Sequence, residues 1–248
     1  MRAITLLTDF GTADYFVGAM KGVILSINPQ AVIVDITHEI PAQDVAAGAF
    51  TLLAAHDTFP SRTIHVAVVD PGVGSARRPI VVSAGNYLFV GPDNGIFNYI
   101  YDRAPSFAAF HITDEKFFRR PVSTTFHGRD IFAPVAAALS TGLDPSSLGP
   151  QISDPIRLST PLEPQIIHID RFGNLITNIT REVWKDGAKL SINGRVISVL
   201  RQYFGENIGE PEEPIAIWGS ARFLEIAVNG RSAAEILGVK RGDQITLI

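Results

Sequence analysis

The chain has 248 residues, 46% of them hydrophobic and 19% charged, enough for one large domain or two modest ones with a real core. A formal charge of −4 offers no basic field to nucleic acid or a membrane surface, and no apolar run approaches a membrane span. With no cysteine there are no disulfides, no thiolate nucleophile and no Cys-ligated zinc.

The N-terminus leads straight into a strand with no signal peptide, so a cytoplasmic location is expected. Residues 3–7 are that apolar strand, ending in Thr8-Asp9-Phe10-Gly11. Asp14 follows, then a segment, 15–27, in which Phe16, Met20, Val23, Ile24 and Ile27 recur at helical spacing until Pro29 closes it. Residues 32–36 read as a second strand, with Asp35 near its end and Thr37-His38-Glu39-Ile40-Pro41 after it. The Ala-rich stretch 44–56 reads as a second helix. Val66, Ala67, Val68 and Val69 suit a strand covered on both faces. That run stops at Asp70, where Pro71, Gly72 and Gly74 force a turn and let backbone approach a ligand closely. Asp70 is therefore expected at the carboxyl end of a core strand, where open α/β sheets bind their ligands. Strands are expected at 80–83 and 87–90, joined by Ala84-Gly85-Asn86. The acidic turn Gly91-Pro92-Asp93-Asn94-Gly95, a short helix at 96–101 and a strand at 107–112 come next. The turn Phe126-His127-Gly128-Arg129-Asp130 precedes a helix at 131–139.

This alternation implies an α/β N-terminal domain, residues 1–150, with a mainly parallel sheet. Pro150, Pro155, Pro161 and Pro164 fall within about fifteen residues and mark a linker over 151–164. Beyond it the segments are short, alternating and glycine-bounded, at 165–169, 175–179, 189–192, 195–199, 215–218, 223–228 and 244–248. They imply a smaller all-β C-terminal domain, residues 165–248, barrel- or sandwich-like.

Five acidic turns punctuate the first domain, at Asp9, Asp35, Asp70, Asp93 and Asp130, with His38 and His127 beside two of them. Carboxylates and imidazoles are donor types for a divalent metal, but no His-x-His or His-Glu-x-x-His spacing is present. Asp35 and Asp93 read as turn carboxylates or helix caps. His127, flanked by Phe126 and Gly128 ahead of a helix, is the better candidate for chemistry, because histidine titrates near neutrality and is the commonest general base. A strand-end carboxylate such as Asp70 would orient its ring, and Arg77 or Arg78 lies just beyond the same glycine turn. The plainer reading is a histidine that caps the following helix. No glycine-rich phosphate motif is present, so a nucleoside triphosphate is not supported. In the second domain Asp170-Arg171-Phe172-Gly173-Asn174 reads as a hairpin turn with Gly173 at positive φ. It also sets a carboxylate, an aromatic face and an amide edge side by side, which suits an amino group and a heteroaromatic base. Tyr203-Phe204-Gly205-Glu206 and Gly219-Ser220-Ala221 belong either to that surface or to core and turn.

Together these motifs resemble one family, the S-adenosylmethionine hydroxide adenosyltransferases or SAM hydrolases, relatives of the fluorinases and chlorinases. The likeness spans the chain. Its marks are Thr8-Asp9-Phe10-Gly11 with Asp14, Asp35-Ile36-Thr37-His38, Asp70-Pro71-Gly72-Val73-Gly74 with Arg77, Gly91-Pro92-Asp93-Asn94-Gly95, His127-Gly128-Arg129-Asp130 and Asp170-Arg171-Phe172-Gly173-Asn174. The resemblance implies cleavage of S-adenosyl-L-methionine to adenosine and L-methionine with no metal or cofactor. It also implies a homotrimer with sites between neighbouring subunits. It puts Asp70, Arg77 and His127 on the family's hydrolytic triad, and Asp9 on the ribose-diol carboxylate. Asp14, Asp170 and Ser220 fall on methionine-binding positions, Asn174 on the adenine edge, and Phe172 and Phe204 on adenine-stacking positions. Phe126 is expected in the substrate pocket beside His127. The halogen-transferring relatives lack the Asp–Arg–His set, so hydroxide is favoured over halide. Ala221 and Arg222 follow Ser220 where relatives often carry a longer donor set or a glycine.

On this reading methionine leaves a sulfonium as a neutral thioether and needs no general acid. His127, oriented by Asp70, is expected to accept the water proton, Arg77 to favour hydroxide character, and Asp9 to accept from both ribose hydroxyls. Two rivals use the same residues: a non-catalytic adenosine or S-adenosylmethionine sensor, and a metal-dependent hydrolase built on the acidic turns. The complete triad argues against the first and the missing ligand spacing against the second.

Overall fold

The apolar runs of the first half assemble into one seven-stranded sheet. The structure, a computed structural model, describes residues 2–159, 161–185, 187–198, 200–204 and 213–248. The chain divides into two compact units, Met1–Leu158 and Ser159–Ile248. No helix among the described residues is long and apolar enough to cross a membrane.

In the first unit, β1 (Ile4–Thr8), β2 (Ile33–Thr37), β3 (Ile64–Val68), β4 (Pro79–Ala84), β5 (Tyr87–Pro92), β6 (Phe107–His111) and β7 (Gln151–Ile152) lie in the order β2-β1-β3-β5-β4-β6-β7. The sheet is mixed. Strands β2, β1, β3 and β5 are parallel, whereas β5, β4, β6 and β7 pair antiparallel. The expected parallel character thus holds for one half only. The reason is local: Gly85, at φ +55°, and Asn86 close a two-residue hairpin between β4 and β5, which returns the chain antiparallel.

Both faces of the sheet are covered, and side chains alternate between them. Leu6, Val66, Val68 and Val90 pack with Met20 and Ile24 of α1 (Phe16–Ile27) and with Val135 and Leu139 of α4 (Ala133–Ser140). Leu7, Ala67, Val69 and Phe89 face the other way, onto Leu52 of α2 (Val45–His56) and Ile100 of α3 (Asn98–Arg103). Asp44 caps α2 by accepting from the Ala47 N–H at 2.9 Å. Helix α3 starts later than residue 96, because Asn94 Oδ1 takes the Ile96 N–H into a side-chain turn first. Ahead of α4, Gly128–Phe132 winds as one wider π-helical turn, so the helix expected at 131–139 has a distorted entry beside His127. The proline-rich stretch is no free linker over its first half. β7 pairs with β6, Asp93 accepts from the Ile156 N–H and Asn98 from the Leu158 N–H.

The second unit holds β8 (Ile166–Ile169), β9 (Leu175–Thr177), β10 (Leu190–Ile192), β11 (Arg195–Ile197), β12 (Leu200–Arg201), β13 (Ile215–Trp218), β14 (Leu224–Ala227) and β15 (Thr246–Leu247). They form a five-stranded sheet, β12-β13-β14-β9-β8, and a three-stranded one, β11-β10-β15, around Ile166, Leu175, Leu190, Leu224 and Ile226. The unit is not all-β. α5 (Ala233–Leu237) is capped by Ser232, which accepts from the Glu235 N–H, and is closed by Gly238 in the left-handed region. Val199, Gly205 and Glu206, expected in a strand and on a binding surface, lie outside the described residues.

Candidate active site

The strand order places a crevice where the chain leaves β1 towards β2 on one side and β3 towards β5 on the other. Asp9 follows β1 directly, and Asp70 lies two residues past β3. A cavity of about 380 Å³ opens there, lined by Asp9, Phe10, Phe16, Gln43, Asp70, Phe126 and His127 among others. Gly74, at φ +78°, lets the Asp70 loop approach the segment that carries His127; a Cβ there would sit 2.2 Å from the Thr124 carbonyl oxygen.

Asp70 and Arg77 form a buried ion pair, their side chains 4% and 8% exposed. Arg77 Nε donates to both carboxylate oxygens, at 2.9 and 3.0 Å, and Nη2 donates to Oδ2. The same Nη2 lies 2.9 Å from His127 Nδ1. An arginine can only donate, so Nδ1 must be the accepting nitrogen and a neutral His127 carries its hydrogen on Nε2. Sequence reasoning expected Asp70 to orient His127 directly. In the structure Arg77 stands between them and does so instead. Arg77 lies behind the pocket wall, its guanidinium 5.2 Å from the Phe132 ring centre, with Nη1 buried and without a protein partner. Burial, and next the positive charge of Arg77, push the His127 pKa below the ordinary histidine value, against the pull of Asp70 and Asp130.

Asp9 Oδ2 accepts from the Gln43 N–H at 2.8 Å, and Gln43 holds a positive φ of 66° to present it. Phe10, Phe16 and Phe126 meet edge to face or tilted, with centroids 5.2–5.8 Å apart, and make the dry side of the cavity. Phe10, Phe16 and Gln43 were not singled out from sequence as pocket residues. Phe16 recurs at helical spacing in the sequence, and nothing in that pattern distinguishes a pocket wall from a core contact.

The other acidic turns are occupied elsewhere. Asp93 is buried against Arg78. Asp130 is fully buried and accepts from Arg129, Arg119 and the Ser123 N–H. Asp35 pairs with Lys21 and His38. Asp14 is exposed ahead of α1 and does not line the cavity. No group of three or more metal-ligating side chains occurs among the described residues.

In the second unit, Phe172, Asn174 and Phe204 do come together. They line a cavity of about 440 Å³ with the 228–232 turn, whose only signal in the sequence is the dipeptide Asn229-Gly230. Gly173, at φ +82°, packs against Ser232. Asp170 spends its carboxylate on its own turn: Oδ1 accepts from the Phe172 and Asn174 N–H groups, and Oδ2 from Asn174 Nδ2, each at 2.9 Å. Ser220 is exposed in the turn between β13 and β14 and is not among the residues that line that cavity. Beside it Gly219 packs on Glu225, whose carboxyl is pushed up by burial and by the charge of Asp170.

Two family models match the chain. One, for the SAM hydroxide adenosyltransferase N-terminal domain, covers residues 4–149; the other, for the C-terminal domain, covers 164–246. An (R)-S-adenosyl-L-methionine hydrolase of Thermus thermophilus is 39% identical over the whole of both chains. One from Methanocaldococcus jannaschii is 38% identical over 99% of this chain and 95% of its own. A fluorinase of an Actinoplanes species is 25% identical over 98% and 96%. The crystal structure of an uncharacterized conserved protein from Thermotoga maritima superposes with a TM-score of 0.91 at 34% identity, covering 99% of this chain and 100% of that one. The motifs, the fold and these matches agree: the chain belongs to the SAM hydroxide adenosyltransferase family.

Proposed function

We propose that the protein hydrolyses S-adenosyl-L-methionine, in the (R) form named for its relatives, to adenosine and L-methionine. The observation that carries this reading is the Asp70–Arg77–His127 chain at the wall of the cavity that Asp9 also lines. The oxygen of water bonds to ribose C5′ while the C5′–S bond breaks, and its electron pair goes to sulfur. Methionine departs as a neutral thioether, so the leaving group needs neither a proton nor a Lewis acid.

The nucleophile is the difficulty, and the chain's own residues act there. Arg77 fixes His127 with an Nε2–H, so His127 serves as a donor to the attacking oxygen rather than as the base expected from sequence. The water proton passes to Asp70, whose carboxylate lines the cavity and keeps lone pairs beyond those Arg77 uses. Asp9 accepts from the ribose hydroxyls. Phe10, Phe16 and Phe126 keep the site dry, which strengthens every charge interaction in it. Phe172 and Phe204 stack on adenine and Asn174 reads its edge. Asp170 acts on the adenine end by holding Asn174, which leaves the exposed Asp14 and Ser220 for methionine. A homotrimer, implied by the resemblance, belongs to this reading and is checked by light scattering.

The test is turnover of each sulfonium epimer by chelator-treated protein in oxygen-18 water. Adenosine carrying the label at its 5′-hydroxyl, with the (R) form preferred, is expected. Unlabelled adenosine would refute attack at C5′. Binding without turnover would make the protein a sensor, and activity restored only by added divalent metal would revive the metallohydrolase.

A further inference from the structure

Buried beneath the Asp9 loop is a side-chain relay that the reaction itself does not use. His38 is 4% exposed. Its Nδ1 lies 2.8 Å from Thr8 Oγ1, and Thr8 Oγ1 also accepts the Phe10 N–H at 3.2 Å. Nε2 faces the Asp35 carboxylate, which can only accept, so a neutral His38 carries its hydrogen there and the Thr8 hydroxyl donates to Nδ1. Nε2 lies 3.1 Å from Asp35 Oδ1, close but off the line of a well-formed hydrogen bond. Asp35 Oδ2 in turn takes Lys21 of α1 at 2.6 Å. Burial alone would raise the Asp35 carboxyl, but its bonds to Lys21 and His38 outweigh this and hold it low.

The relay is reinforced by the main chain around it. Gly11 N–H donates to the His38 carbonyl at 2.8 Å, and Ile40 N–H to the Thr8 carbonyl at 3.4 Å. Two residues past Pro41, Gln43 N–H holds Asp9 Oδ2. The turn after β1, which carries Asp9, is thus stapled to the turn after β2, and His38 stands at the centre of the staple, its Nδ1 on Thr8 and its Nε2 facing the Asp35 carboxylate. Through Asp35 and Lys21 the same chain reaches α1, whose first residue, Phe16, lines the cavity.

We propose that His38, with Thr8 and Asp35, is a positioning unit for Asp9: it sets the carboxylate's angle and so the enzyme's preference for an intact ribose diol. The inference rests on the reading of Asp9 as the ribose carboxylate. Among the described residues, the hydrogen bond that aims Asp9 comes from the exposed Gln43 amide, on the turn after β2, so the angle of the two turns decides where its oxygens point. A hydrogen bond to a charged group is worth roughly 10- to 100-fold in affinity, and that is the discrimination at stake.

The test measures dissociation constants for adenosine and 2′-deoxyadenosine by calorimetry on the full-length protein. Wild type is expected to favour adenosine by roughly 10-fold or more. Thr8→Val, which keeps shape and removes the hydroxyl, is expected to bring that ratio close to one, and Thr8→Ser to restore it. Should Thr8→Val fail to fold, Asp35→Asn, at the half-exposed end of the relay, is expected to lower the ratio in the same direction. A merely structural role would weaken both ligands equally. A variant that folds and keeps the wild-type ratio overturns the inference while leaving the proposed function standing. A wild-type protein that binds neither nucleoside overturns both.

Discussion

The two cavities are built by opposite means. In the first unit the polar groups are buried or half-buried and each is held by its neighbours: Arg77 grips Asp70 and His127, and Gln43 grips Asp9. In the second unit the principal surfaces are aromatic faces left open, Phe172 at 76% and Phe204 at 47% exposure, beside an amide steadied by its own turn. The difference fits the roles proposed for the two cavities. Developing charge at a reacting oxygen is stabilised only by dipoles already fixed in place, so the surrounding fold must supply the rigidity. A flat heteroaromatic ring needs area and one or two edge contacts, and a turn is enough to present them.

The contrast breaks most sharply at Arg77. Arg77→Lys keeps the charge but not the planar fork that reaches Asp70 and His127 together. The value of kcat is expected to fall by roughly 10²–10⁴, with KM nearly unchanged. A loss confined to KM would mean that Arg77 only helps to bind substrate.

The next test separates two roles for His127. If Nε2–H donates, His127→Asn keeps a donor and is expected to retain activity about 10-fold or more above His127→Ala, each measured as single-turnover release of methionine. If His127 is the base, Asn and Ala are equally poor. In both cases the wild-type rate has an acid limb. His127 must be neutral, since protonation would set an Nδ1–H against the Arg77 donor. Its lowered pKa puts the midpoint of that limb below the ordinary 6.5, with a plateau above.

How much of this was legible differs between the units for physical reasons. Apolar β-branched runs ended by Asp or Asp-Pro-Gly announce buried strands with acidic tips, and so Asp9 and Asp70 are legible in the sequence as carboxylates at strand ends. The order of the bonds is not. His127 and Arg77 are fifty residues apart, and which of two neighbours an imidazole meets is decided by packing, through the close approach that Gly74 permits to Thr124. The burial of Asp130 was hidden for the same reason: a carboxylate reads alike whether it lines a pocket or anchors two arginines. By contrast α5 was legible and passed over. Ser232-Ala233-Ala234-Glu235 is a capping sequence and Gly238 a stop, but the helix is five residues long and gives little periodicity to detect.

A smaller effect is expected at the open cavity. Phe172→Ala removes a stacking face that the unit's core does not depend on, so its melting temperature should hold. KM is expected to rise by about 10-fold, in the range measured for loss of one base-stacking ring, with kcat unchanged. Instability instead would show that the exposed ring supports the fold.

The last difference lies away from both cavities. Three histidines of the first unit, His65, His111 and His127, are held below the ordinary value by burial, so acid should loosen that unit before the second. His65 is the strongest case. It is wholly buried in β3, stacked on Phe89 at 5.2 Å, with Nδ1 2.8 Å from Thr5 Oγ1 and Nε2 without a partner. Burial, and then the charge of His56, push its pKa down to about 3. The folded chain therefore keeps His65 neutral where the unfolded chain protonates it at the ordinary value. Its contribution to stability is complete above about pH 6.5 and is lost as pH falls from there towards 3, at up to about 1.4 kcal/mol per pH unit. His65→Gln can keep a bond to Thr5 but does not titrate. Between pH 7.5 and 5.5, guanidinium melts of wild type are expected to lose about 1–1.5 kcal/mol more than those of the variant. Hydrogen exchange should place that loss in the strands of the first unit, leaving β13 and β14 protected as before. Equal slopes for the two proteins would mean that His65 protonates inside the fold without cost, and that its burial is not what sets the acid limit of the first unit.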